Sequence, residues 1–443
     1  MELRDLIVTP VLLLIICVIA YRARPHFTDS ITRKYFFPAL ALKIAAALIL
    51  GFLYQYYYDG GDTYNYHTYG SRLIWEAFMD SPLKGLTLIF SNGNYLPGIY
   101  QYASRIIFFQ DPASFFVVQV SAMFDLITFS SYSATAILFS IISFAGGWAL
   151  FLAFYNRSPE MHVWQAVATL FIPSVIFWGS GLMKDTLTFS AIGFLTYSIG
   201  SIFFKKRISL PALLILCVSV WVLFSVKKYI LLCYIPAVIL WVFANSLAQI
   251  RSLIFKILLI PFAATLLIAS SYYSIVIIGE DDSRYSLTQL AQTAKITSND
   301  IGFYSGRDAG SGYSLGKLDG TFENMVSKMP EAINVSLFRP YLWEVRNPLM
   351  LLSALESLAL ISLTLYVIIR RRLKVLKALS DPTVVFCLVF SLTFSFAVGV
   401  STFNFGTLAR YKIPMLPFYV LAMGYILHYS NSERKLAVFD DTE

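Results

Sequence analysis

Residues 133–154 read Ser-Ala-Thr-Ala-Ile-Leu-Phe-Ser-Ile-Ile-Ser-Phe-Ala-Gly-Gly-Trp-Ala-Leu-Phe-Leu-Ala-Phe, without one Asp, Glu, Lys or Arg. A helix rises about 1.5 Å per residue, so this run is long enough to cross the roughly 30 Å of hydrocarbon in a bilayer. Comparable apolar runs lie near 6–21, 37–55, 161–178, 186–204, 210–226, 229–248, 257–278, 348–369, 383–400 and 412–429. The expectation is an all-α, polytopic integral membrane protein of about eleven transmembrane helices, with residues 1–443 forming a single membrane domain. Composition agrees: 57% of the 443 residues are hydrophobic and 14% are charged, and the mean hydropathy is +0.66. Soluble domains carry about 25% charged residues, so a chain this apolar could not cover a water-facing surface. Disordered tails, collagen-like repeats and small disulfide scaffolds are excluded on the same figures.

The formal net charge is +8, and its meaning depends on the side of the membrane that the cations occupy. Inner loops hold Arg22, Arg24, Arg33, Lys34, Arg157, Lys205, Lys206, Arg207, Arg251, Lys256, Arg370, Arg371, Arg372, Lys374, Lys377, Arg434 and Lys435. Short outer segments hold Arg4, Lys184, Lys227, Lys228, Arg410 and Lys412. Seventeen against six is a topology signal, which removes the reason to invoke nucleic acid. The first run is interrupted by Pro10, is followed by Arg22 and Arg24, and lacks a small-residue cleavage site. It is expected to be a retained span with the N-terminus outside and the C-terminus cytoplasmic. Residues 113–129 are apolar but would spoil the charge bias as a crossing, so they read as an interfacial or re-entrant helix with Asp125 near its end. Cys17, Cys217, Cys233 and Cys387 all fall within predicted spans and read as packing residues, not disulfides or zinc ligands.

Two large segments remain outside, a first outer loop at 56–132 with amphipathic or re-entrant helices and a second at 279–347. The first opens as Tyr56-Tyr57-Tyr58-Asp59-Gly60-Gly61-Asp62-Thr63-Tyr64-Asn65-Tyr66-His67. A carboxylate at a membrane exit can deprotonate an acceptor hydroxyl, and partial desolvation raises its basicity. Asp62 is the preferred base and Asp59 the second; Tyr66 and His67 are candidates for substrate contact. The same stretch also fits an Asp-Gly turn beside an aromatic belt. Asp59, Asp62 and His67 could hold a divalent cation, although their spacing specifies none.

Lys184-Asp185 follows Phe177-Trp178-Gly179-Ser180-Gly181-Leu182-Met183 at the outer junction of two spans. Charges at the edge of hydrocarbon are costly unless paired or used; Lys184 can hold a phosphate and Asp185 can orient it, or the two can neutralise each other in a hairpin. Arg410 and Lys412 break the charge bias, as do Lys227 and Lys228. A guanidinium grips phosphate oxygens bidentately, while snorkelling is the competing account. Arg339 and Glu344, in Phe338-Arg339-Pro340-Tyr341-Leu342-Trp343-Glu344, either close a site or anchor the chain at the interface. Glu356 falls about two turns inside the next span, where a carboxylate is a functional candidate.

In their order along the chain, these clusters resemble the GT-C superfamily of polytopic glycosyltransferases, with the bacterial protein O-mannosyltransferase and lipid A aminoarabinose transferase branches nearest. Asp59-Gly60-Gly61-Asp62 with Tyr66-His67 is similar to the acidic motif opening the first outer loop. Leu96-Pro97-Gly98-Ile99-Tyr100 resembles the Pro-containing amphipathic helix, and Ile172-Pro173-Ser174 through Lys184-Asp185 resembles the span that ends in a Pro and a polar turn. Arg410-Tyr411-Lys412-Ile413-Pro414-Met415-Leu416-Pro417 resembles a late Arg-Tyr-x-x-Pro-x-x-Pro element. The sequence departs from the pattern in lacking an adjacent acidic pair and in having an extra span before the acidic loop. The resemblance implies transfer of a sugar from a polyprenyl-phosphate-linked donor to a glycan, lipid or protein acceptor, at the outer face of a bacterial inner membrane. An Asp would act as base and Arg410 would face the phosphate. The 279–347 loop is also reminiscent of polysaccharide polymerases and O-antigen ligases acting on undecaprenyl-diphosphate-linked glycan. A lipid-linked glycan flippase or transporter is the alternative of another class.

Overall fold

The computed structural model describes residues 2–205, 208–248, 265, 268–280, 282, 284, 286, 289–306 and 311–440. The described residues are overwhelmingly helical, and the pairing of Gly312 with Asn404 is an isolated bridge with no strand around it. Seven of the described helices are long and apolar enough to cross a membrane. Each satisfies its own backbone N–H and C=O groups, which lipid cannot do. The protein is therefore an integral all-α membrane protein. Its chain clusters into two compact units, residues 1–162 with 169–227, and residues 163–168 with 228–443.

In the first unit the long apolar helices are α1 (Leu3–Phe27), α2 (Arg33–Tyr56), α8 (Tyr132–Tyr155) and α11 (Lys184–Ile199). Between α2 and α8 run α3 (Asp62–Tyr66), a π-helical turn (His67–Ser71), α4 (Arg72–Asp80), α5 (Pro82–Ile89), α6 (Tyr100–Ala103) and α7 (Pro112–Thr128). The unit closes with α12 (Leu210–Val226). Helix α8 packs on both α2 and α11, and α11 on α12. Glycine permits the closest of these contacts. A Cβ on Gly146 would lie 2.3 Å from Ser190 Cα, and one on Gly193 would lie 2.0 Å from the Gly146 carbonyl oxygen. Small residues let membrane helices approach backbone to backbone.

The apolar run 161–178 is not one helix. It forms α9 (His162–Leu170) and α10 (Pro173–Phe177), with Ile172 extended between them. Proline lacks an N–H and disfavours a helical residue before it, so the chain breaks at Pro173. Lys43 of α2 meets two carbonyls of the broken region: its Nζ donates to Val175 O at 2.7 Å and Gly179 O at 3.2 Å, and lies 4.7 Å from the centre of the Phe189 ring. Ser143 also donates to Gly179 O. A lysine inside an apolar run thus serves as the hydrogen-bond partner of an interrupted helix.

In the second unit, α13 (Lys228–Ala248), a helix over 268–280 (α14), α15 (Leu290–Gly306), α16 (Phe322–Ser327) and α17 (Met329–Phe338) are followed by α18 (Pro348–Arg371), α19 (Lys374–Ala378), α20 (Pro382–Thr402), α21 (Phe405–Tyr411) and α22 (Leu416–Asp440). Much of the apolar run expected at 257–278 lies outside the described residues. Here the core is aromatic. Trp241 of α13 stacks on Phe386 of α20 with centroids 4.3 Å apart and planes 4° from parallel. Tyr234 meets Phe390 edge-on at 5.2 Å, and Phe390 meets Phe418 of α22 at 4.8 Å. Residues 311–313 are tied to the end of α20: Tyr313 N donates to Phe403 O at 3.0 Å and Phe405 N donates to Ser311 O at 2.9 Å.

Candidate functional site

The acidic segment owes its shape to three consecutive residues in the left-handed region. Asp59 (φ 52°), Gly60 (φ 119°) and Gly61 (φ 117°) reverse the chain after α2, and Gly60 N–H bonds back to Tyr54 O at 2.8 Å. Gly61 is required on two counts: its φ disfavours any side chain, and a Cβ there would sit 3.0 Å from the Tyr54 ring. The turn leaves Asp59 exposed and begins α3 at a half-buried Asp62. Beyond it, Thr63 Oγ1 and the Tyr132 hydroxyl are 2.8 Å apart, and Tyr64 stacks on Tyr132 with centroids 4.4 Å apart. Burial foremost, with the negative charge of Asp5, pushes the Tyr64 phenol up to about 12.

His67 faces inward. It is buried on the π-helical turn with Nε2 3.5 Å from Asp125 Oδ1, and its ring is edge-on to Tyr132. Asp125 accepts hydrogen bonds from Ser71 at 2.6 Å and Thr135 at 2.7 Å. Tyr66 is likewise buried, against Phe108. Neither residue meets the surface that Asp59 occupies. Among the described residues no group of three or more His, Cys, Asp or Glu side chains is arranged to hold a metal ion.

One hydrophobic cluster gathers the chemistry-bearing segments of the first unit. Tyr66, Ala103, Phe109, Val117, Leu182 and Leu187 share it, and Val226 joins them from the end of α12. The acidic segment lies more than a hundred residues of chain before the start of α11 and Lys227, yet the residues next to all three share a single packed core. Beside this core Lys184 Nζ lies 3.5 Å from Asp111 Oδ2. Burial acts to raise the Asp111 carboxyl, but the charge of Lys184 and hydrogen bonds from Ser114, Lys184 and the Ala113 N–H outweigh it and hold the group below the usual carboxylate range. Asp185 is fully buried and accepts from Lys227 Nζ at 2.5 Å. Lys227 is therefore already opposite a carboxylate, whereas Lys184 keeps a partly exposed ammonium.

The second unit carries the remaining candidates. Lys228 Nζ is 3.9 Å from Asp282, which Arg284 also grips. Arg339 donates Nε to both oxygens of Glu344 at 3.1 Å and adds a second donor from Nη2. Burial opposes ionisation of Glu344, but Arg339 and the Tyr341 N–H prevail and lower its pKa. Hydrogen bonding to Glu344 raises the Arg339 pKa in turn. Lys412 is buried with Nζ 3.7 Å from Glu356. Arg410 is half-buried in the last turn of α21, a helix begun by Asn404, whose side chain accepts from Thr407 N at 3.0 Å.

Sequence reasoning passed over Asp111. Its signal was present, because Asp immediately before Pro112 marks a helix start. It also passed over Glu2, Asp5 and Arg72, whose partners are distant in the chain. The fold and these clusters define a polytopic α-helical membrane protein with paired charges at helix ends. In comparisons with known proteins, no family model, no curated protein and no solved structure matches the chain.

Proposed function

We propose that the protein is a membrane glycosyltransferase that moves a sugar from a polyprenyl-phosphate-linked donor to an acceptor hydroxyl at the outer face of a bacterial inner membrane. The reading takes about eleven crossings, an outer N-terminus, a cytoplasmic C-terminus and a GT-C-like arrangement. The observation that carries it is the shared hydrophobic cluster of the first unit, which holds Tyr66, in the helix that Asp62 begins, in one core with Leu182 and Leu187, which flank Lys184 in the chain. Asp62 is the base: it takes the acceptor proton while the acceptor oxygen attacks the anomeric carbon, inverting it, and the polyprenyl phosphate leaves with the bonding pair. Lys184 supplies the cation for that phosphate in the first unit: its pairing with Asp111 is longer and partly exposed, whereas Lys227 is buried against Asp185. Arg410 is the phosphate candidate of the second unit.

The test is transfer from polyprenyl-phosphate sugars in proteoliposomes, followed by mass spectrometry of the products. General-base catalysis contributes about 10²–10⁴-fold, so Asp62→Asn is expected to lose at least about a hundredfold while Lys184→Gln weakens donor binding. Loss in Asp59→Asn with full transfer in Asp62→Asn would move the base to Asp59. Passage of lipid-linked glycan across the vesicle without a new covalent product would replace the enzyme with a transporter.

A further inference from the structure

The first unit holds a cleft of about 160 Å³ whose lining includes Glu2, Asp5, Tyr64, Thr68, Arg72 and Tyr132. A cavity of roughly 150 Å³ accepts a molecule the size of one six-membered ring. Neither Asp59 nor Asp62 lines it. Tyr64, Thr68 and Arg72 all come from the chain that follows Asp62, across α3, the π-helical turn and the start of α4.

Its polar groups are incompletely matched. Arg72 donates Nη1 to Glu2 Oε1 at 2.6 Å and Nη2 to Glu2 Oε2 at 3.0 Å, while its buried Nε–H has no acceptor. Asp5 is buried and accepts from Ser131 Oγ at 2.8 Å and Ser133 N at 3.0 Å through Oδ1, but only from Glu2 N at 2.9 Å through Oδ2. A carboxylate oxygen can accept twice, so Oδ2 retains an open position. The cleft therefore offers one unused donor on a cation and one unused acceptor on an anion. The Glu2–Arg72 bridge is partly exposed, so a ligand can reach it and compete for its charges. A ligand that replaces it must supply an anionic oxygen to Arg72 and an N–H cation to Glu2 and Asp5.

We propose that this cleft binds a small aminoalkyl-phosphate zwitterion, the chemistry of a phosphoethanolamine headgroup. Its phosphate takes the Arg72 donors and its primary ammonium takes Glu2 Oε and Asp5 Oδ2. A quaternary ammonium has no N–H to give and fits less well. Leu3, Leu6 and Ile7 on the first turns of α1 are exposed apolar side chains, which suits a headgroup whose acyl chains lie along that helix. The site stands apart from the transferase reading and does not depend on it.

The experiment uses the full chain in nanodiscs of equal phosphatidylethanolamine and phosphatidylcholine, with native mass spectrometry of the lipid retained after detergent release. Phosphatidylethanolamine is expected to be retained about tenfold over phosphatidylcholine, with the preference lost in Arg72→Gln and in the cleft-filling Thr68→Met. Calorimetry of the delipidated protein distinguishes the source. Binding of free glycerophosphoethanolamine would identify a soluble zwitterion, retention of the whole lipid alone would identify the bilayer, and either supports the site. Equal retention of the two lipids with no binding of the free zwitterion overturns the proposal, as does inorganic phosphate binding as tightly as the zwitterion. Undiminished preference in Thr68→Met overturns it even if Arg72→Gln does not fold.

Discussion

Lys227 and Asp185 in the first unit meet at 2.5 Å, whereas Lys412 and Glu356 in the second stand 3.7 Å apart, and all four side chains are buried. The surroundings differ as well. The first unit brings α8 and α11 together through glycines, while the second fills the space between α13, α20 and α22 with aromatic rings. The first pair is a direct hydrogen bond, and the second is a longer contact. A lysine expected to grip phosphate can thus be committed to a carboxylate, and the degree of commitment differs between units.

Breaking the pairs tests this contrast most strongly. Removing one partner of a buried ion pair costs about 3–5 kcal/mol because the other charge is left uncompensated. Lys227→Met is expected to lower stability by that amount in detergent unfolding, and Lys412→Met by less. Replacing both partners, Lys227→Met with Asp185→Leu, should recover most of the loss. Equal losses in the two units would erase the distinction.

The packing styles give a second pair. Trp241→Ala removes a stacked core ring and should cost about 3 kcal/mol or more. Gly193→Ala forces a methyl onto the Gly146 carbonyl and should cost about 1–3 kcal/mol. If Gly193→Ala is neutral in thermal unfolding, the close approach of α8 and α11 is not what holds the first unit.

A smaller effect belongs to the acidic turn. Gly61→Ala places a side chain at φ 117° against Tyr54, at a cost of about 1–3 kcal/mol. It should also reduce transfer by misplacing Asp62, without altering an assay confined to the second unit, such as Trp241 fluorescence in a variant lacking other tryptophans.

The least effect is a pH dependence in the second unit. Glu344 is held below its ordinary value of 4.5, with burial opposing and Arg339 and the Tyr341 N–H prevailing. Its folded pKa is depressed, so its contribution is present above the ordinary value and is lost as pH falls through the depressed one. Wild type should exceed Arg339→Gln in melting temperature at neutral pH, and the gap should close as the solution is acidified below 4.5. A gap independent of pH would assign Arg339 to packing on Phe405, which lies 5.3 Å from its guanidinium.

Much of the helical framework was legible in the sequence because a membrane helix is specified by its own residues. The uncharged run 133–154 falls inside α8, and 383–400 falls inside α20. The interruption of 161–178 was written in Pro173 as well, although apolarity alone reads through it. The expected candidate site was legible in part. Asp59 and Asp62 occupy the tight turn that their glycines announce, but His67 is turned toward Asp125, and the lysine with the longer, partly exposed pairing is Lys184 instead of Lys227.

Composition and apolar runs by themselves determined that this is an all-α membrane protein, since transfer of an apolar helix into lipid depends on the residues in that helix. Tertiary structure decided which charges remain available. Whether a lysine meets Asp185, Asp111 or Glu356 depends on contacts between segments far apart in the chain. Those pairings turn on differences of an ångström or so, to which hydropathy is blind.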